Sequence, residues 1–235
     1  AYTAVDKAES EPDLAQMINA DSPAELAKVC AERDVPIIHY STDYVFSGDA
    51  SRPYKEEDAT GPNSVYGQTK LAGERAIRGA AEKYFIFRTA WVYGELGQNF
   101  FLTMRRLAKQ RDSLSIVNDQ MGGPTYARSL AECSWQIIDQ LDQNVERPWG
   151  TYHMSCAGEI SWFEFAKALL TQSGFSNIQL SPLTTAQYPT PAKRPAYSVL
   201  DNSNLAKALG VEMPDWQQAL ASCIQHASTP TTLVL

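Results

Sequence analysis

The sequence predicts an α/β fold with a parallel sheet, followed by a smaller part built from shorter segments. Three observations carry this. Val35-Pro-Ile-Ile-His-Tyr-Ser41 and Tyr84-Phe-Ile-Phe-Arg-Thr89 are short apolar runs of the kind that form strands buried on both faces. Between them, Asn63 to about Gly79 reads as a helix with Val65, Leu71, Ala72 and Ala76 on one inner face. Beyond Pro148 the pattern breaks into short strands, short helices and a proline-rich loop.

The elements follow in order. Glu11 to about Arg33 reads as one long helix with Leu14, Met17, Ile18, Leu26, Ala27 and Cys30 facing inward. Asp21-Ser22-Pro23 marks a cap or kink within it. The Val35 strand ends in the polar cluster Ser41-Thr42-Asp43-Tyr44, and residues 48–62 read as a solvated loop or a flap at a site mouth. Pro62 closes that loop, and Asn63 or Ser64 caps the next helix. After the Tyr84 strand, Asn99-Phe100 opens a helix over Phe101–Lys109, and Leu114–Val117 is a short strand. Asn118 to Thr125 is rich in turn residues, and Ala127–Leu141 is an amphipathic helix. Strand Thr151–Met154, helix Ser161–Gln172 capped by Ser161, strand Ile178–Leu180, and helices Asn202–Leu209 and Asp215–His226 complete the chain. Ser228–Leu235 reads as frayed.

Chemistry concentrates around Tyr66-Gly-Gln-Thr-Lys70. Residues four apart on a helix share a face, so the phenol and the ammonium are neighbours. A cation beside a phenol favours the phenolate and lowers its pKa. A Tyr so held can protonate a carbonyl oxygen as hydride reaches the carbon. Such pairs also arise by chance on surface helices. The polar cluster at the carboxyl end of the Val35 strand adds weight, because α/β sheets place their chemistry there. Ser41 or Thr42 supplies the second hydrogen bond that a carbonyl oxygen needs.

Composition excludes several classes. The chain carries 20 Lys and Arg against 27 Asp and Glu, a net charge of −7 that argues against general nucleic-acid binding. No apolar run is long enough to cross a membrane. The four cysteines and three histidines are dispersed and show no metal-ligand spacing, so reduced cytoplasmic thiols and no metal site are expected.

Read together, six stretches resemble the extended short-chain dehydrogenase/reductase family and, within it, the dTDP-4-dehydrorhamnose reductases. They are Thr3–Glu9, Ser41–Phe46, Tyr66–Glu74, Phe87–Tyr93, Asn118–Gln120 and Pro189–Pro195. The resemblance implies a Rossmann-like parallel sheet with its first strands missing and a smaller α/β C-terminal substrate-binding part. Residues 1–120 would be the remainder of the dinucleotide-binding domain and 121–235 mainly the substrate-binding part. In the family a Gly-rich turn cradles the cofactor pyrophosphate. That fingerprint is not found here; Gly94-Glu-Leu-Gly97 comes closest, with Phe at position 100. The match therefore implies that roughly 60 N-terminal residues of the family pattern lie outside this sequence. An exposed sheet edge and apolar face are expected in consequence.

The implied activity is reduction of dTDP-4-dehydro-L-rhamnose to dTDP-L-rhamnose by NADPH or NADH. Thr42, Tyr66 and Lys70 would be catalytic. Tyr2, Ser41, Arg88 and Thr89 would join Tyr66 and Lys70 in holding the cofactor. Asp43, Tyr44, Trp91, Asn99 and Arg194 would bind the nucleotide-sugar, Arg194 at its diphosphate. Sugar-nucleotide dehydratases follow the strand-end Thr-Asp with Glu, and Tyr44 stands there instead; 4-epimerases lack the Asp-Tyr-Val-Phe continuation. Some members form homodimers bridged by a metal held by glutamates, and Arg128 occupies one matching position, which argues against that metal site. The rival reading is a non-catalytic binding module, like the regulatory subunit of methionine adenosyltransferase.

Overall fold

A computed structural model describes residues 1–141 and 147–228. The expected fraying of the chain's end falls largely on residues 229–235, outside those described. The first elements are helices: α1 (Val5–Ala8), α2 (Pro12–Gln16), a π-helical stretch over Met17–Asp21, and α3 (Ser22–Glu32). Strand β1 (Ile37–Thr42) leads into a short 3-10 turn, Asp43–Val45, and helix α4 (Val65–Ala80) returns the chain to β2 (Tyr84–Thr89). Then come β3 (Val92–Tyr93), α5 (Phe100–Ala108), β4 (Ser113–Val117), β5 (Met121–Gly122), β6 (Thr125–Tyr126) and α6 (Ala127–Asp139). The last part holds β7 (Gly150–His153), β8 (Ile160–Ser161), α7 (Trp162–Gln172), β9 (Gln179–Leu183), α8 (Ser203–Leu209) and α9 (Trp216–Ser228).

The main sheet has the order β1-β2-β7, all parallel. Its third strand comes from beyond residue 121, so the two halves of the chain interleave. In the β1–β2 register Thr42 lies opposite Thr89, which brings the carboxyl ends of both strands together. Side chains of β2 alternate between two cores. Phe85 and Phe87 join the large cluster with Phe101, Phe165, Leu169 and Leu220, whereas Ile86 packs with Ala27, Ile77 and Ala81. Three two-stranded pairings, β3–β6, β4–β9 and antiparallel β5–β8, knit the remaining strands.

The long N-terminal helix forms but faces differently from the expectation. Met17 is 51% exposed and Leu26 60%, and Leu14 is exposed too, while Ala15, Asn19, Ala20, Pro23 and Ala27 are buried. Small residues win the inner face because α4 lies very close. A Cβ on Gly73 would run into the Asn19 carbonyl, so only a glycine in α4 permits this approach. The π stretch at Met17–Asp21, with a Pro at the start of α3, also shifts the register of the face. Among the described residues β1 pairs on one side only, with β2, and Val35 and Tyr40, just before and within that strand, are exposed.

The 48–62 loop is fastened rather than free. Tyr54 is buried, stacks on Phe46 at 4.3 Å, and its hydroxyl accepts from the backbone N–H of Gly48, Asp49 and Ala50. Glu56 turns inward to accept from the His153 N–H at 2.8 Å.

Candidate active site

Helix α4 begins where Ser64 caps it, its hydroxyl accepting from the Gly67 N–H at 3.2 Å. The cap fixes the first turn, and with it Tyr66, against the end of β1. A cavity of about 630 Å³ opens there, lined by Thr42, Asp43, Tyr44, Tyr66, Lys70, Thr89 and Trp91 among others. The three residues expected to be catalytic therefore line one cavity, although they come from a strand end and a helix 24 positions further on.

Several of the other expected site residues lie on the cavity as well. Ser41 lines it while donating to Glu74 Oε1 at 2.6 Å. Asp43 is buried, and its Oδ1 accepts from the Thr42 hydroxyl at 2.9 Å. Burial pushes its carboxyl up to about 6, against the pull of the Ser198 and Thr42 hydroxyls. Tyr44 meets Tyr66 edge-on at 5.5 Å. Burial holds the Tyr44 phenol at about 12.

Four expected residues are engaged elsewhere. Tyr2 bonds Glu11 through its hydroxyl and Asn19 through its backbone, and its neighbours Ala1 and Thr3 reach the cavity instead. Arg88 is buried against Glu74 with two hydrogen bonds, Nε to Oε1 at 2.9 Å and Nη2 to Oε2 at 2.8 Å. Asn99 caps α5 and donates to the carbonyls of Gly94 and Leu96, so its amide is fully used; it lines an adjoining cavity of about 680 Å³. Arg194 pairs with Asp6 and donates to the Tyr44 hydroxyl at 3.3 Å.

One expectation about Tyr66 is overturned. The sequence places a cation beside the phenol and expects a lowered pKa. Burial instead raises the Tyr66 phenol above its ordinary value, opposed by the facing Thr42 hydroxyl. Lys70 turns its ammonium toward β1, donating to the Tyr40 carbonyl at 2.6 Å and meeting His39 Nε2 at 3.0 Å. The Lys70 amine is itself held down at about 8, mainly by burial, with Glu74 opposing.

The sequence reading missed Trp162. Its indole stacks on Trp91 at 3.5 Å with 9° between the planes, and both line the cavity. Trp162 follows the capping Ser161 in the sequence, and nothing local distinguishes it from a core aromatic. Trp91 sits at φ +48, an unusual conformation for a bulky side chain. Across from it, Gly122 leaves the space the indole needs, since a Cβ there would collide with the ring. Gly122→Ala is therefore expected to cost ~1–3 kcal/mol through overpacking. A thermal melt and tryptophan fluorescence read this out, and an unchanged melt with unchanged emission would contradict the packing described.

The cavity's volume lies within the roughly 300–1,000 Å³ usual for small-molecule pockets. Thr89 Oγ1, a buried oxygen on a lining residue, has no partner among the described residues and would be satisfied by a bound polar ligand. Among the described residues no group of His, Cys, Asp and Glu side chains is disposed to hold a metal, and Arg128 pairs with Glu95 at 3.3 Å.

Comparison with known proteins decides the family. The model of the RmlD substrate binding domain matches residues 1–229. The chain belongs to the RmlD substrate binding domain family. It is 42% identical to the dTDP-4-dehydrorhamnose reductase of Escherichia coli (strain K12), over 99% of this chain and 79% of that protein. The corresponding reductase of Mycolicibacterium smegmatis is also 42% identical, over 99% of this chain and 70% of its own length. Among solved structures, a Clostridium acetobutylicum dTDP-4-dehydrorhamnose reductase superposes with a TM-score of 0.91 at 41% identity, covering 97% of this chain and 79% of the other. The Bacillus anthracis dTDP-4-dehydrorhamnose reductase, solved in complex with NADP, gives 0.88 at 38% identity, covering 96% and 78%. The RmlD-family fold thus accounts for the Rossmann-like sheet and the cavity at its strand ends.

Proposed function

We propose that the protein reduces dTDP-4-dehydro-L-rhamnose to dTDP-L-rhamnose with NADPH or NADH, in the cytoplasm. The observation that carries this reading is the gathering of Thr42, Tyr66 and Lys70 around one cavity in a chain of the RmlD family. A reduced nicotinamide, when bound, supplies the hydride. Tyr66 gives its proton to the ketone oxygen, its phenol being protonated at neutral pH. Thr42 turns its single O–H from Asp43 Oδ1 to the same oxygen, giving it a second hydrogen bond and orienting it. Lys70 offers an N–H to the ribose, beside Ser41 and Thr89.

Asp43, Tyr44 and the Trp91–Trp162 stack take the sugar. Arg194, held against the Tyr44 hydroxyl, is proposed for the diphosphate, with Asp6 keeping its guanidinium in place. Arg88, Tyr2 and Asn99 support the site through the contacts they already make. The division at about residue 120 into a cofactor side and a substrate side belongs to this proposal, with β7 returning to the first sheet. Four free cysteines agree with a reducing compartment. No helix among the described residues is long and apolar enough to cross a membrane.

The test is NADPH oxidation by the purified protein in the presence of the 4-keto sugar nucleotide, with the product read by mass spectrometry. Substrate-dependent oxidation that yields dTDP-L-rhamnose is expected. NADPH binding without turnover would overturn the reading and favour a binding module.

A further inference from the structure

His39 lies on β1, one strand position pair before Ser41, so both side chains face α4. Ser41 meets Glu74 there, and His39 meets Lys70 one turn earlier. The Lys70 ammonium has three N–H groups and no acceptor capacity. Two of them are taken on the strand side, by the Tyr40 carbonyl at 2.6 Å and by His39 Nε2 at 3.0 Å. Tetrahedral geometry sends the third away from β1, and Lys70 lines the cavity on that side with Tyr66.

We propose that His39 is the positioning residue of Lys70: its imidazole Nε2 anchors the ammonium against β1, so that the remaining N–H faces the cavity. For this the ring must be neutral, with its proton on Nδ1 and the Nε2 lone pair free. Burial, and then the Lys70 charge, hold the His39 pKa at about 4, so the acceptor form prevails at neutral pH.

The anchoring also bears on charge. Lys70 is 2% exposed, and a buried amine loses its proton readily unless acceptors stabilise the ammonium. With its pKa lowered to about 8 the amine titrates close to neutral pH, so what stabilises its charge matters. The other charged groups around the pair are arranged so that they do not replace His39. Glu74 favours the Lys70 charge from one turn along α4, but its oxygens are already bound by Arg88, Arg78 and Ser41. The catalytic meaning of the anchor rests on the reductase reading, whereas the anchor itself is a property of this chain alone.

The test needs no turnover. Protein labelled with carbon-13 at lysine Cε is titrated by NMR, and the Lys70 signal is assigned from its loss in Lys70→Met. In the unsubstituted protein a midpoint of about 8 is expected. His39→Leu removes the acceptor and is expected to lower the midpoint by ~1 unit, equivalent to a tenfold change in the amine's proton affinity. His39→Gln places an amide oxygen near the former Nε2 and is expected to restore most of the shift. Circular dichroism checks that both variants fold; if His39→Leu does not, the Gln variant and the imidazole nitrogen shifts of the unsubstituted protein decide. Those shifts should show a neutral ring with Nε2 accepting. A Lys70 midpoint unchanged in His39→Leu, a Gln variant that behaves like Leu, or a ring protonated on Nε2 would each overturn the proposal. None of these results depends on whether the protein reduces the sugar nucleotide.

Discussion

Tyr66→Phe is expected to lower the rate of substrate reduction by ~10²–10⁴-fold, the usual contribution of a positioned general acid. The substitution is conservative for packing. The Tyr66 ring meets Tyr44 edge-on at 5.5 Å, and a phenylalanine ring keeps that contact. What is lost is the hydroxyl that faces Thr42 and carries the proton. The measurement is the substrate-dependent oxidation of NADPH at saturating concentrations, together with the NADPH dissociation constant from fluorescence. Near-normal cofactor binding with collapsed turnover fits the assigned role. A reduction smaller than about fivefold would remove Tyr66 from it.

Arg88→Met is expected to produce the largest loss of stability, ~3–5 kcal/mol, because it leaves Glu74 charged and buried without its principal partner. For a chain of this size that is a fall in melting temperature of roughly 6–20 °C. Glu74 is fully buried, and the remaining ion pair, to Arg78 at 3.4 Å, is partly solvent-exposed. The pH dependence gives a second check. Burial alone would raise the Glu74 pKa, but hydrogen bonds and charge from Arg88, with Ser41 and Arg78, outweigh it and lower the value below 4.5. A carboxyl depressed on folding contributes stability above its unfolded pKa and loses it as pH falls through the folded one. In Arg88→Met burial dominates, so the sign reverses and mild acid becomes relatively stabilising. Thermal melts across the acid range read this directly. The double variant Arg88→Met/Glu74→Leu should recover much of the loss, since an apolar pair replaces a broken ionic one.

Much of the architecture was legible in the sequence because its signals are local. The apolar runs at Val35 and Tyr84 became β1 and β2, and the Ser64 cap started α4 where the capping pattern placed it. The Tyr66/Lys70 spacing and the strand-end Thr42 also led to one cavity, since helical periodicity and strand termini are properties of short segments. The inner face of the N-terminal helix was misread, because hydrophobicity ranks Leu14, Met17 and Leu26 above alanine. Close packing against Gly73 admits only small residues there.

The sequence by itself determined the fold class, the family, and which residue types would meet at the strand ends. Only the tertiary structure decided which partners each of those side chains meets. Arg88 reads as a cofactor contact until the fold places Glu74 two hydrogen bonds away. Trp162 is silent until β5 and β8 bring it over Trp91. Lys70 reads as the partner of Tyr66 until β1 supplies His39 and the Tyr40 carbonyl. The reason is physical. Periodicity reports which face a residue occupies, whereas hydrogen-bond partners and burial depend on segments far apart in the chain, which meet only after the sheet has assembled.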